Sequence, residues 1–241
     1  KKECLSTNCL IDLSTAANSK RSDQPWVIFR SAGWVKIQSA PTLQPQQVLD
    51  HVLAEILDLT DIWWIHGNHD TDSDADYDHL FCSTLADRNL HGRVVEIAGV
   101  RIAGLGGIFR GQVWTPPSQF AFETPEDFAA RCGKGNLWRG GLPRKHRSSI
   151  FPCDYFRLAG ERADILVTHE APSCHPHGFA QIDELARSLG VRATFHGHHH
   201  DRLDYSSQHE RLEFDVYGVG FCGITDEDGR VIRVGASDEH L

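Results

Sequence analysis

The chain predicts an α/β fold, and three observations carry that prediction. Short apolar runs at 62–65 and 164–167 read as strands buried on both faces, and 192–195 follows as a further strand. Helical periodicity separates them: Val48, Leu49, Val52, Leu53, Ile56 and Leu57 share one helical face, and Phe179, Ile182, Leu185, Ala186 and Leu189 share another, with Gly190 placed to stop the second helix. The last third changes period. There Leu212, Phe214 and Val216 alternate with Glu213, Asp215 and Tyr217, and Asp228-Gly229 predicts the turn of a closing antiparallel hairpin. The expectation is a set of βαβ units with a β-rich end.

The 241 residues and 27.0 kDa suit one domain spanning 1–241 with a substantial core. Within it, 109–162 reads as a cap or insertion, because Trp114, Pro116, Pro117, Trp138 and Pro143 come with few clear periodicities. The first 43 residues differ in character. Four of the six lysines precede Pro45, whereas only two of the eighteen arginines do. Two short strands are expected in this opening segment, one running through Leu10 and Ile11 into Asp12 and one at 26–29.

Net charge and hydropathy exclude whole classes. A net charge of -9 argues against general binding to nucleic-acid backbones, which relies on clustered Lys and Arg. No apolar run approaches the ~20 residues that a membrane span needs. The seven cysteines are scattered without a C-x-x-C pair, which suits a reducing cytoplasm.

The chemistry lies where strands end. The run Ile62-Trp63-Trp64-Ile65 stops at Gly67, followed by Asn68, His69 and Asp70, and in open α/β sheets ligands collect at the carboxyl ends of strands. The same arrangement recurs at Thr168-His169-Glu170 and at His196-Gly197-His198-His199-His200. Convergence on a metal is the simple explanation, since His198 and His200 flank one residue directly after a strand. Neutral imidazoles with amide or carboxylate oxygens suit manganese, iron or zinc. Other clusters carry less. Asp72, Asp74, Asp76 and Asp78 lack the Gly and Glu of a calcium loop and read as a solvated loop or helix start, and Gly104 to Gly107 is not a P-loop. Arg144, Lys145, His146 and Arg147 read as a solvated face, and Arg110, His175 and His177 are candidates for substrate contact set against a reading as surface residues.

Taken together and in this order, Gly67-Asn68-His69-Asp70, Thr168-His169-Glu170 and Gly197-His198-His199-His200 resemble the calcineurin-like metallophosphoesterase family. The resemblance covers Pro45 to the C-terminus. It implies two facing mixed β-sheets flanked by helices, a four-layer αββα sandwich, with up to two divalent metal ions at the strand ends. It also implies that Asn68, His169 and His198 hold the second metal, that Asp12 and His200 hold the first, and that His69 contacts the transition state or leaving group. The substrate implied is a phosphorylated small molecule or phosphoprotein, hydrolysed by metal-activated water.

The chain departs from the family pattern in its opening segment. Ser14 stands where a metal-binding His is expected, and Trp34 stands where a carboxylate should bridge both ions. The second metal position is therefore the one expected to fill. An opening segment that is not the native one, through a shifted reading frame, a wrong start or a misassigned stretch of sequence, is the other explanation of that departure. Two further readings follow: a catalytically impaired family member acting as a binding module, and a metallo-β-lactamase-type hydrolase suggested by the histidines of 196–201. The latter's H-x-H-x-D-H order is not met, because His200 and Asp201 occupy the wrong positions.

Overall fold

The structure, a computed structural model, describes residues 10–12, 26–29, 61–221, 223–235 and 238, the first two stretches in backbone only. The helix expected at 48–57, Ser14 and Trp34 lie outside the described residues. The chain is α/β, with two mixed five-stranded sheets.

The second sheet carries the architecture. Its strands are β4 (Arg93–Ile97), β5 (Val100–Leu105), β6 (Ile165–Thr168), β7 (Ala193–His196) and β8 (Asp215–Gly218), in that spatial order. β4 and β5 form the expected antiparallel hairpin, and β5 to β8 run parallel. Every residue of β6 and β7 is buried, as strands covered on both faces must be. Burying side chains such as Ile165 and Leu166 contributes about 1.5–3 kcal/mol each. The register levels the strand ends: Leu105 lies beside Thr168, Thr168 beside His196, and His196 beside Gly218. His169 and Gly197 therefore leave the sheet along one edge.

The first sheet orders β10 (Val231–Arg233), β9 (Ile224–Asp226), β1 (Leu10–Asp12), β2 (Trp26–Phe29) and β3 (Ile62–Ile65). Gly229, at φ +79°, makes the turn between β9 and β10, as its sequence predicts. β3 splits its side chains by the period of two. Ile62 and Trp64 pack against Leu80 and Leu85, while Ile65, with Trp63 beside it, joins a core made with Ile102, Ile165, Val167 and Phe195 of the second sheet.

Apart from the first, which packs on β3 through Leu80, the helices cover the other face of the second sheet. α1 (Asp74–Phe81), α2 (Pro125–Arg131), α3 (Pro152–Ala159) and α4 (Ala180–Leu189) precede the short α5 (His209–Leu212). α4 buries Ile182, Leu185, Ala186 and Leu189 on one stripe and ends at Gly190 in the left-handed region at φ +70°, as its pattern requires. The segment 109–162 does not form a core of its own. Val113, Trp114, Phe128, Ile150, Phe151, Tyr155 and Leu158 share one core with Ala103, Leu105 and Leu166 of the sheet.

One local expectation is corrected. The alternation from Leu212 to Tyr217 predicts continuous strand, but Leu212 ends α5 and Glu213 turns at φ +70° before β8 begins at Asp215. The His209 side chain makes the corner: Nε2 accepts from the Val216 N–H at 3.1 Å, and Nδ1 faces Asp215 Oδ1 at 2.9 Å. No helix among the described residues is long and apolar enough to cross a membrane.

Candidate metal centre

Three strand ends deliver the candidate ligands. Beyond β3, Asp70 folds its carboxylate back so that Oδ2 accepts from the Gly67 N–H at 2.7 Å, which fixes the turn carrying Asn68. Asn68 Oδ1 lies 2.9 Å from His169 Nε2, beyond β6. His198 Nδ1, beyond β7, lies 3.0 Å from the same nitrogen. Ligand atoms about 2.1 Å from one cation and at right angles to each other stand ~3.0 Å apart, so these contacts have the spacing of a shared coordination shell. Both His198 and His200 hold positive φ, 68° and 61°, a conformation that costs a residue with a Cβ roughly 1–2 kcal/mol and turns the loop sharply after β7.

Glu170 extends the cluster. One ligand atom from each of Glu170, His198 and His199 lies within 4.8 Å of the others, so a Glu and His group able to hold a metal ion is present. Glu170 Oε1 accepts from the Phe109 N–H at 2.9 Å, and burial pushes its carboxyl up to about 7. The imidazoles are driven the other way. Burial, and then the neighbouring His198, hold His169 well below its usual range; burial and then His200 bring His198 down to about 4; burial and then like-charge repulsion from His175 bring His199 down to about 3. Neutral imidazole is the metal-binding form, so the histidines fit a divalent cation without losing a proton, whereas Glu170 would give up its own on ligating.

The other expected residues are placed as follows. His69 is 53% exposed, and its Nδ1 lies 2.6 Å from Asp72 Oδ2. Its ring lies near enough to His198 and His200 to raise the cost of charging them. His200 lies with its ring centroid 5.0 Å from Phe221, and among the described residues no hydrogen bond joins it to Asn68, His169 or His198. Asp12 is brought elsewhere by the topology. β1 is antiparallel to β2 and β2 is parallel to β3, so Asp12 lies opposite Trp26, which lies opposite Ile62. That is three residues, ~10 Å, from the end of β3 where the ligand loop begins. The Asp12 side chain is outside the described residues.

No family model matches the chain. An uncharacterized protein of Haemophilus influenzae is 45% identical over 172 residues, covering 71% of this chain and 75% of that protein. The two belong to one family. No solved structure matches. Membership of this family fixes a shared fold and leaves the chemistry to be read from the site.

Several site residues gave no clear signal in the sequence. His66 is 2% exposed, with Nε2 buried and without a hydrogen-bond partner. It explains Gly106, on which a Cβ would come within 2.9 Å of His66 Nδ1, whereas Gly104 gives room to Leu90 and Gly107 turns at φ +82° against the Ser148 carbonyl, its own N–H donating to the His66 carbonyl at 2.7 Å. Ser148 ties the ligand turn to the segment 109–162, with Oγ 2.9 Å from Thr71 Oγ1 and 3.3 Å from the Asn68 carbonyl. His175, weighed above as a surface residue or substrate contact, is only 4% exposed because its ring stacks on His199 at 3.8 Å. His177 is exposed. The acidic stretch is a helix start braced from the segment 109–162: Arg139 pairs with Asp78, and Arg144, from the basic run, with Asp74.

Proposed function

We propose that the chain is a metal-dependent phosphoric ester hydrolase of the calcineurin-like metallophosphoesterase kind. Its substrate is a phosphorylated small molecule or a phosphoprotein, and manganese suits the mixed nitrogen and oxygen donor set. The observation that carries this reading is the meeting of Asn68 and His198 on His169 Nε2, at 2.9 and 3.0 Å, from three separate strand ends. The distribution of the cores supports the finer fold, a four-layer αββα sandwich with two facing sheets: one core joins β3 to the second sheet, and a second lies between that sheet and α3 and α4.

When bound, a divalent cation supplies positive charge for the phosphoryl oxygens and acidifies water. The chain's own residues do the rest. Asn68, His169 and His198 would hold the cation, and the burial of His169 and His198 keeps both imidazoles in the ligating form. Asp72 engages His69 Nδ1, which leaves Nε2 as the nitrogen to deliver a proton to the departing alkoxide. Asp70 holds the turn on which Asn68 and His69 sit.

Turnover of p-nitrophenyl phosphate and bis-p-nitrophenyl phosphate with added manganese tests the reading, with H169A as the inactive control. The alternative, a binding module that has lost catalysis, is favoured by the placement of Asp12 at the far end of the first sheet. Inertness on both esters with manganese, iron and zinc would decide for the binding module.

A further inference from the structure

Arg110 stands beside the candidate metal centre with its charge uncommitted. Its backbone is fixed by a tight turn, the carbonyl accepting from the N–H groups of Val113 and Trp114 at 2.8 Å each, and Trp114 is anchored in the core. Phe109 before it is clamped between Trp114 and Phe179, and its N–H is held by Glu170. The side chain therefore leaves a rigid base. Its Nη2 donates to Ser148 Oγ at 3.2 Å, and Ser148 Oγ lies 3.3 Å from the Asn68 carbonyl, so the guanidinium is one hydroxyl away from the ligand turn.

The guanidinium has no carboxylate in salt-bridge contact among the described residues, and its Nε is buried without a hydrogen-bond partner. The nearest acids are otherwise engaged: Asp72 with His69 and Glu170 with the Phe109 N–H. A half-buried arginine left in this state is costly, and its planar fork matches phosphate oxygens in geometry and charge. Its positive charge also disfavours protonation of His198, in keeping with its place next to the turn that carries Asn68.

We propose that Arg110 anchors a terminal phosphate oxygen and so selects phosphate monoesters over diesters. The proposal rests on the phosphoesterase reading above. A monoester near neutral pH carries close to two negative charges on three terminal oxygens. Oxygens facing the cation leave a third for Arg110. In a diester that third position carries an uncharged ester oxygen and its substituent, which meet the half-buried guanidinium instead.

The test compares the full chain with R110A and R110K on p-nitrophenyl phosphate and its bis ester with manganese, together with inhibition by inorganic phosphate. Losing charged hydrogen bonds predicts a fall of about 30-fold in kcat/KM on the monoester for R110A, a fall of less than about 3-fold on the diester, and a phosphate inhibition constant raised about 10-fold. R110K keeps the charge but not the fork and is expected to recover only part of the monoester activity. If R110A fails to fold, the same monoester-to-diester comparison is read on R110K. Equal losses on both esters, or an unchanged phosphate inhibition constant, overturn the role of Arg110 while the phosphoesterase reading stands. If the wild type turns over neither ester, that reading fails by itself, and calorimetry with inorganic phosphate and manganese decides for Arg110: binding weakened in R110A supports the anchor, and binding that is unchanged or absent in the wild type overturns it.

Discussion

Asn68 Oδ1 and His169 Nε2, 101 residues apart in sequence, lie 2.9 Å from each other at the ends of strands in two different sheets. Removing either should release bound cation. N68A and H169A are each expected to weaken manganese binding by at least about 10–100-fold, the scale on which even supporting residues of metal sites act. Calorimetric titration of the metal-stripped protein checks this.

His69 has a different expected signature. It lies on the same turn but engages Asp72 rather than the imidazole cluster. H69A should lower kcat by about 100-fold or more, as general-acid removal does, while manganese affinity stays near that of the wild type. D72N should lower kcat less, because it keeps a hydrogen-bonding partner for Nδ1. Steady-state kinetics with metal titrations in parallel separate the two effects.

Ser148 is a structural joint. Its buried hydroxyl contacts Thr71 and Arg110 and lies within reach of the carbonyls of Asn68 and Lys145. S148A should cost about 1–3 kcal/mol, the usual consequence of leaving buried polar groups unpaired. Urea unfolding with the slope held common to both proteins measures it. The same variant should reduce monoester turnover, since Arg110 loses its support.

His146 predicts how stability depends on pH. It is 3% exposed, with Nε2 2.9 Å from Gln112 Oε1 and Nδ1 3.1 Å from Ser149 Oγ. Burial, and then Lys145 and Arg110, bring it down to about 4 in the folded chain. Between that value and the ordinary 6.5 the unfolded chain binds a proton that the folded chain does not, so stability falls as pH drops through this window. Of order 2–3 kcal/mol is lost by pH 4, and H146Q should flatten that part of the profile. Denaturant midpoints for both proteins at pH 4.5 and 7 test the sign.

The turns that carry Asn68, His169 and His198 were legible because each follows a strand-like run closely: β3, β6 and β7 are local signals. Contacts made across the chain were not. Ser148 reaches Asn68 over 80 positions, and nothing around it in sequence marks a hydroxyl that bridges two loops. The segment 109–162 was opaque because its buried aromatics sit in turns and short helices rather than at a helical or strand period. α5 was missed because Leu212, Phe214 and Val216 have the spacing of a strand, while the break between them rests on His209 reaching forward to Val216. The topology of β1 was also beyond the sequence. A run of apolar residues ending in Asp12 fits either strand direction, and only pairing with β2 fixes which end of the sheet Asp12 occupies.

Anomalous diffraction from a crystal of the full chain soaked in manganese tests the central claim most directly. The account predicts a peak within roughly 2.0–2.3 Å of Asn68 Oδ1, His169 Nε2 and a His198 ring nitrogen. A well-ordered site at which those three side chains share no peak, with manganese bound elsewhere or not at all, would contradict it.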